Sequence, residues 1–351
     1  MRHQARGARA LRWDTYAALE KALRVMGTAF TAGVLLAWTA AAPAQPAAWR
    51  PDKTIEIIAP ATPGGLHDIT ARSLQHVLQV AKLVAVPTVV VNKGGAGGTL
   101  GWTYLNQQQG DAHYIAMSAV NLLTNEILGA SKLSYTDFTS LTILFHEYLG
   151  LAVRTDSPML TGKEVAARLA KDPASMSIAI GTSLGNTSHL ALARAVKAMG
   201  GDTRKLKTIV FGSNGEAMTA LLGGHVDAIV TSLPNLVRHL QAKSIRVLAI
   251  SSPQRIGGIF SAVPTWREEG VDVLMSGWRG VIGPKGLTPP QIAYWDTLFS
   301  RLRETEEWKQ ELAKNFRHPA QMNSQESRQF LDREYQSFQQ VLNELGMAKK
   351  R

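Results

Sequence analysis

The sequence contains no cysteine, which excludes disulfides, thiol nucleophiles and thiolate metal sites and is compatible with an oxidising compartment. Charge is sparse, at 19% of residues, and no run of Lys and Arg interleaves with aromatics. The net charge of +11 therefore reads as a weak attraction for anions and not as a nucleic-acid face. Part of it lies in residues 1–44, and the remainder carries +7. The longest apolar run, Val25 to Thr39, falls short of the about 20 residues that span a bilayer. His67, His189, His225 and His239 show no ligand spacing such as H-x-x-x-H, so no metal and no cofactor is implied. There is no tandem repeat and no low-complexity tract after the first segment.

What is present begins with an export signal. Arg12, Lys21 and Arg24 precede the apolar run, and Ala42-Pro43-Ala44 follows it as a small-residue cleavage site. This pattern predicts a signal peptide over residues 1–44, removed after Ala44, and a mature protein outside the cytoplasm. The remaining length suits two domains of ordinary size.

Short apolar strands alternate with helical stretches, which predicts an α/β fold with a mostly parallel sheet. Expected strands include Thr54 to Ala59, His113 to Ser118, Ser177 to Gly181, Lys207 to Phe211 and Gly277 to Gly283, with Thr139 to Phe145 and Leu149 to Val153 as two separate strands. The first helix carries Leu66, Ile69, Leu74, Val77 and Leu78 as its inward stripe. From Thr288 the chain reads as helical almost to its end. Its last helix, Ser324 to Leu345, has Asn323 and Glu326 as a capping box and is expected to pack back onto the first half.

Three strand-to-helix loops could hold an anion, because the N–H groups at a helix start have no intrahelical partners and carry partial positive charge. In the first, Pro60, Pro63, Gly64 and Gly65 break the strand before Asp68 enters the helix; an ordinary tight turn is the alternative. In the second, Gly181-Thr182-Ser183-Leu184-Gly185 matches G-x-S-x-G. Ser183 is a nucleophile candidate there, or Thr182, Ser183 and Asn186 form an anion-holding loop. The only late histidine, His318, lies between two helical stretches, which leaves such a nucleophile without its partner. In the third, Gly212-Ser213-Asn214-Gly215 offers small donors, with simple capping as the alternative.

Ser118 ends its strand as a ligand contact or a helix cap, and His189 lies near the cleft or in the core. Arg279, inside an apolar strand, needs either a bound carboxylate or an internal acid. Gly95, Gly97 and Gly101 do not keep G-x-G-x-x-G spacing and no acidic residue ends the following strand, which argues against a dinucleotide site.

The opening loop, the GGAGGTLG turn, GTSLGNTSHLA and FGSNGEAMTALLGGHVDAIVTSLP, in this order behind an export signal, resemble the Bug-type extracytoplasmic solute receptors of tripartite tricarboxylate transporters. The resemblance covers essentially the whole chain after the leader. It implies a periplasmic binding protein of type II, the Venus-flytrap form, with two doubly wound domains and a ligand cleft between them. They would be residues 52–152 plus 277–351 and residues 153–276. It implies no enzyme but a monomeric periplasmic receptor that captures a small carboxylate, citrate first, and delivers it to integral-membrane permease subunits. An exported serine hydrolase using Ser183 and a sensor for a membrane kinase are the alternatives. Carried onto this sequence, the contacts would be Thr62, Pro63, Gly64, Gly65, Asp68, Ser118, Ser183, Asn186, His189, Ser213, Asn214 and Gly215. Leu66 stands where many relatives have a third glycine, and Gly110-Asp111-Ala112-His113-Tyr114 replaces the family's usual Pro-Asp-Gly-Tyr.

Overall fold

The computed structural model describes residues 48–181 and 183–349; the expected leader over residues 1–44 lies outside them. The chain runs β1 (Ile55–Ala59), α1 (Leu66–Val80), β2 (Thr88–Asn92), α2 (Thr99–Asn106), β3 (Tyr114–Ala119), α3 (Val120–Ile127) and β4 (Phe138–Arg154). It continues through α4 (Gly162–Lys171), β5 (Ile178–Gly181), α5 (Thr187–Ala198), β6 (Thr208–Phe211), α6 (Asn214–Leu222), β7 (Ala228–Ser232), α7 (Val237–Gln241) and β8 (Ile245–Ile250). Then follow β9 (Ser276–Pro284), α8 (Pro289–Glu304), α9 (Glu306–Lys314), β10 (Arg317–Met322) and α10 (Ser324–Glu344).

Two wings of sheet share one long strand. In the first wing, β1 lies between β2 and β3, all parallel, and Ile57 pairs with Val90 on one side and Ile115 on the other. In the second, β5 pairs in parallel with β6 and β7. The inner strands β1, β3, β5 and β7 are largely buried and apolar, as strands covered by helices on both faces must be, whereas the outer strands β2 and β6 are only partly buried and leave Val89 and Val210 exposed. The expectation of a mostly parallel sheet is corrected at the centre. There β9 runs antiparallel to β3 and β4, β10 runs antiparallel to β4, and β4 then pairs antiparallel with β7 and β8. The two strands expected at 139–153 are one, because the polar His146 and Glu147 interrupt the apolar pattern without breaking the extended backbone. Along β4, partners change from β9 at Tyr148 to β7 and β8 from Leu149 onward.

Helices α1, α8 and α9 cover one face of the first wing around Ile57, Met117, Phe145 and Trp295. Helices α2, α3 and α10 cover the other around Trp102, Leu123, Trp278 and Phe338, and that core continues onto α4 and α5. Helix α6 and Ile229 enclose a third cluster in the second wing. The expected capping box at Asn323 and Glu326 is present, and Leu331, Phe338 and Leu342 are buried at about 1.5–3 kcal/mol each. Helix α10 does pack onto the first half, where Tyr135 Oη donates to Asp332 at 2.8 Å and Tyr335 Oη to Glu126 at 3.2 Å. It also reaches the second wing, where Arg194 donates to Ser337 and Lys197 pairs with Glu344.

Two further expectations change. Leu66 and Ile69 are 37% and 46% exposed, whereas His67, Asp68 and Thr70 face inward ahead of Ala71 and Leu74. The inward stripe of α1 becomes apolar only after its first turn. The stretch expected to be helical from Thr288 onward contains β10, where Arg317 pairs in register with Glu147 of β4.

Candidate functional site

The carboxyl ends of β1 and β3 and the start of β9 form one edge of the first wing. At this edge the loop after β1 is braced by Asp68. One carboxylate oxygen accepts the N–H of Gly64 at 2.8 Å; the other accepts Arg72 Nε at 2.9 Å and Asn92 Nδ2 at 2.8 Å. Burial works to raise the Asp68 pKa, but Arg72, the Gly64 N–H and Asn92 outweigh it and hold the carboxyl below its usual range. Asp68 is thus committed to shaping the loop. Gly64 has φ +80° with nothing around its absent side chain, so the loop turns there at a position that favours glycine.

The second glycine-rich turn is the wall behind the first loop. A Cβ on Gly94 would stand 2.7 Å from Thr62 N, and one on Gly101 would stand 2.7 Å from Pro60 Cβ. Close backbone approach, and not phosphate binding, accounts for those glycines. Asn121 and Asn125 donate to the Gly97 carbonyl and tie the turn to α3.

Ser118 is fully buried and does not cap α3, whose N-cap is Ala119; its Oγ has no hydrogen-bond partner among the described residues. Gly280 lies beside it on β9, close enough that a Cβ there would stand 3.0 Å from Ser118 Oγ.

Arg279 projects from β9 with its side chain 12% exposed. Nη1 donates to the Trp278 carbonyl at 2.8 Å, Nη2 stands 3.8 Å from Glu147 Oε2, and Nε has no partner among the described residues. The 3.8 Å contact compensates charge but is too long for a hydrogen bond. Glu147 is instead held by Arg317, whose Nε donates to Oε1 at 3.0 Å and whose guanidinium stacks on Phe145. Burial lowers the Arg279 pKa, with Glu147 opposing and Arg317 reinforcing that shift. His67 enters the same neighbourhood from α1. Burial first, then the positive charge of Arg279, pushes its pKa down to about 3 against a hydrogen bond with Asn121, and its Nδ1 has no partner among the described residues. It is neutral at any ordinary pH.

The loops of the second wing gather at the carboxyl ends of β5 and β6. Ser183 is exposed. Asn186 caps α5 by accepting from the N–H of His189 at 2.9 Å, and its Nδ2 donates to the Gly181 carbonyl. His189 Nδ1 accepts the N–H of Gly185 at 3.0 Å, and burial holds its pKa down to about 4, so it packs beneath the loop. Ser213 caps α6 by accepting from Glu216 N at 3.2 Å. Asn214 N would stand 2.8 Å from a Cβ on Gly181, which brings the loops carrying Ser183 and Ser213 together. The second wing meets the first at Gly277, where a Cβ would stand 3.8 Å from Thr187 Oγ1, two residues before Arg279.

Two groups of expected residues therefore assemble, one of Thr62 to Gly65, Asp68, Ser118 and Arg279, the other of Ser183, Asn186, His189 and Ser213 to Gly215. Sequence reasoning passed over His67 and Glu147. Glu147 carries the same signal that singled out Arg279, a charge inside an apolar strand, whereas His67 is inward only because the stripe of α1 is polar in its first turn. A separate cavity of about 150 Å³, lined by Arg154, Arg168, Met176 and Asp227 among others, opens where β4 ends and β5 and β7 begin, at the opposite edge of the second wing.

The profile of a family described as tripartite tricarboxylate transporter family receptor matches residues 70–347. A protein of Cupriavidus necator, "UPF0065 protein in gbd 5'region", is 27% identical over 314 residues, covering 88% of this chain and 93% of that one. "Protein BugT" of Bordetella pertussis is 27% identical over 307 residues, covering 86% and 91%. Among solved structures, a TctC solute binding protein from Polaromonas is 26% identical with a TM-score of 0.71, covering 84% of this chain and 99% of that one. The same fold occurs in MatC from Rhodopseudomonas palustris, described with bound malate, at 23% identity and a TM-score of 0.68, covering 83% and 99%. It occurs again in an R. palustris protein described with adipate, at 20% identity and a TM-score of 0.72, covering 85% and 99%. The α/β fold with its mixed sheet is thus that of periplasmic solute-binding proteins. The chain belongs to the tripartite tricarboxylate transporter receptor family, whose members are periplasmic solute receptors and not enzymes.

Proposed function

We propose that this protein is exported by residues 1–44, captures a small carboxylate between its two wings and delivers it to the integral-membrane permease of a tripartite transporter. The observation that carries this reading is Arg279, a guanidinium held at the carboxyl edge of the first wing which, among the described residues, has no partner for Nε and only a 3.8 Å contact to an acid. A carboxylate received there gains charge-assisted hydrogen bonds at a donor that is already desolvated. In the loop from Thr62 to Gly65 a second carboxylate is met chiefly at Thr62, since Pro63 has no N–H and those of Gly64 and Gly65 are taken by Asp68 and the Thr62 carbonyl. Ser183, Asn214 and Gly215 close over the rest, with Asp68, Asn186, His189 and Ser213 bracing these loops and Ser118 beneath them. The lobes are residues 52–152 with 277–351 and residues 153–276, hinged where β4 and β9 cross. Citrate is the first ligand to test, with malate and adipate next, since solved relatives of the same fold are described with those two acids.

The test is thermal denaturation of the monomeric protein with each acid in turn. A ligand at 100 times its Kd stabilises by about 2.7 kcal/mol, enough to move the midpoint by several degrees. No shift with citrate, malate or adipate, together with a clear shift from amino acids or sugars, would sink the reading.

A further inference from the structure

The charged cluster under Arg279 contains more than a single anchor needs. Among the described residues Arg317 has two acids, Glu147 at 3.0 Å and Glu311 at 3.6 Å, whereas Arg279 has only the far oxygen of Glu147. Glu311 is itself held, accepting from Ser73 Oγ at 2.8 Å and from Asn315 Nδ2 at 3.2 Å. Arg317 is wedged against Phe145 with its side chain 3% exposed. Glu147 is therefore fixed from below and cannot approach Arg279 without giving up Arg317.

We propose that Glu147 is a positioning residue for the ligand site, an internal carboxylate that compensates the charge of Arg279 while leaving its hydrogen-bond donors open. This rests on the receptor reading above and adds to it a device that tunes affinity. A buried guanidinium without a counter-charge is costly, so Glu147 offsets the cost of keeping the charged Arg279 buried when no ligand is bound. A full hydrogen-bonded ion pair between them would occupy the donors a ligand needs. The contact at 3.8 Å meets the first requirement and not the second. The same fixed negative charge also repels an arriving carboxylate, so Glu147 holds the affinity below what Arg279 alone would give and eases release.

The experiment titrates citrate, malate and adipate separately into wild type, Glu147→Gln, Arg279→Gln and the double variant, reading both affinity and the melting temperature without ligand. Glutamine keeps an acceptor for Arg317 while removing the charge. The expected result is that Glu147→Gln lowers the unliganded melting temperature yet tightens binding of the acids that bind wild type by about tenfold. Arg279→Gln weakens binding by about 100-fold or more without lowering the unliganded melting temperature. The double variant should recover the part of the stability lost by Glu147→Gln that comes from leaving Arg279 uncompensated, while the part that comes from Arg317 stays lost. A Glu147→Gln variant that binds these acids as wild type does, or more weakly, overturns the proposal and leaves the receptor reading standing. Should that single variant not fold, a double variant that is equally unfolded overturns it, since Glu147 would then serve Arg317 alone. Wild type that responds to none of the three acids removes the receptor reading and the proposal together.

Discussion

Acidification should destabilise this protein well before its carboxylates begin to protonate, and His67 should account for much of the loss. In the folded chain burial, reinforced by Arg279, pushes the His67 pKa down to about 3, against about 6.5 in an unfolded chain. Below pH 6.5 the unfolded chain takes up a proton at His67 that the folded chain refuses until about pH 3. The unfolded state thus binds more protons through that window, and stability falls as pH falls. Between pH 7 and pH 5 the loss is about 1.5 pH units at 1.36 kcal/mol each, or about 2 kcal/mol. His189, with its pKa down to about 4, adds a comparable amount, and burial of His146, His239 and His318 acts in the same direction. A total of about 4 kcal/mol from the first two is a large part of the 5–15 kcal/mol typical of a folded protein. The assay is urea unfolding at pH 7, 6 and 5 on wild type and His67→Gln. The variant should lose roughly half of the combined His67 and His189 contribution to the pH dependence. If it keeps the wild-type slope, His67 is not buried neutral and the placement of Arg279 beside it is wrong.

Asp68 titrates in a separate window. Its folded pKa is depressed, so its contribution is complete above about pH 4 and is lost as pH falls through the folded value. Asp68→Ala removes an acceptor of three hydrogen bonds and should cost about 3 kcal/mol; retained hydrogen-exchange protection at the Gly64 N–H would show that Asp68 does not brace the loop. Gly101→Ala should destabilise by about 1–3 kcal/mol despite alanine's better helix propensity. Its Cβ would meet Pro60 Cα at 2.8 Å, so the first loop must shift. A thermal melt at or above the wild-type midpoint would refute that packing.

Much of the fold was legible because it depends on local pattern. The apolar runs at Ile55–Ala59 and Ile178–Gly181 and the capping box at Asn323 that opens the last helix each read correctly from spacing alone. The errors share a different cause. Residues 139–153 read as two strands because His146 and Glu147 interrupt the apolar run, and β10 was missed because Arg317-His318-Pro319 has no strand pattern. The first segment is where β4 passes between the wings and the second pairs beside it, and their polar residues are matched by partners distant in sequence, which no window on the sequence contains. Likewise, Ser213 and Asn186 were recognised as small donors at helix starts, yet the same residue types serve as caps, and only their hydrogen bonds show that their side chains are so used.

The α/β alternation, the glycine-rich turns and the family are legible without coordinates, since they follow from hydrophobic period, from residues that permit unusual backbone and from motif order. Which charges meet depends on the folded arrangement. Arg279, Glu147 and Arg317 come from three different strands, and whether a buried arginine is satisfied internally or left with an open donor depends on a gap of 3.0 or 3.8 Å. Such a distance is set by strand register and packing, since electrostatic and hydrogen-bond energies vary steeply over less than one ångström while sequence spacing carries no information at that scale.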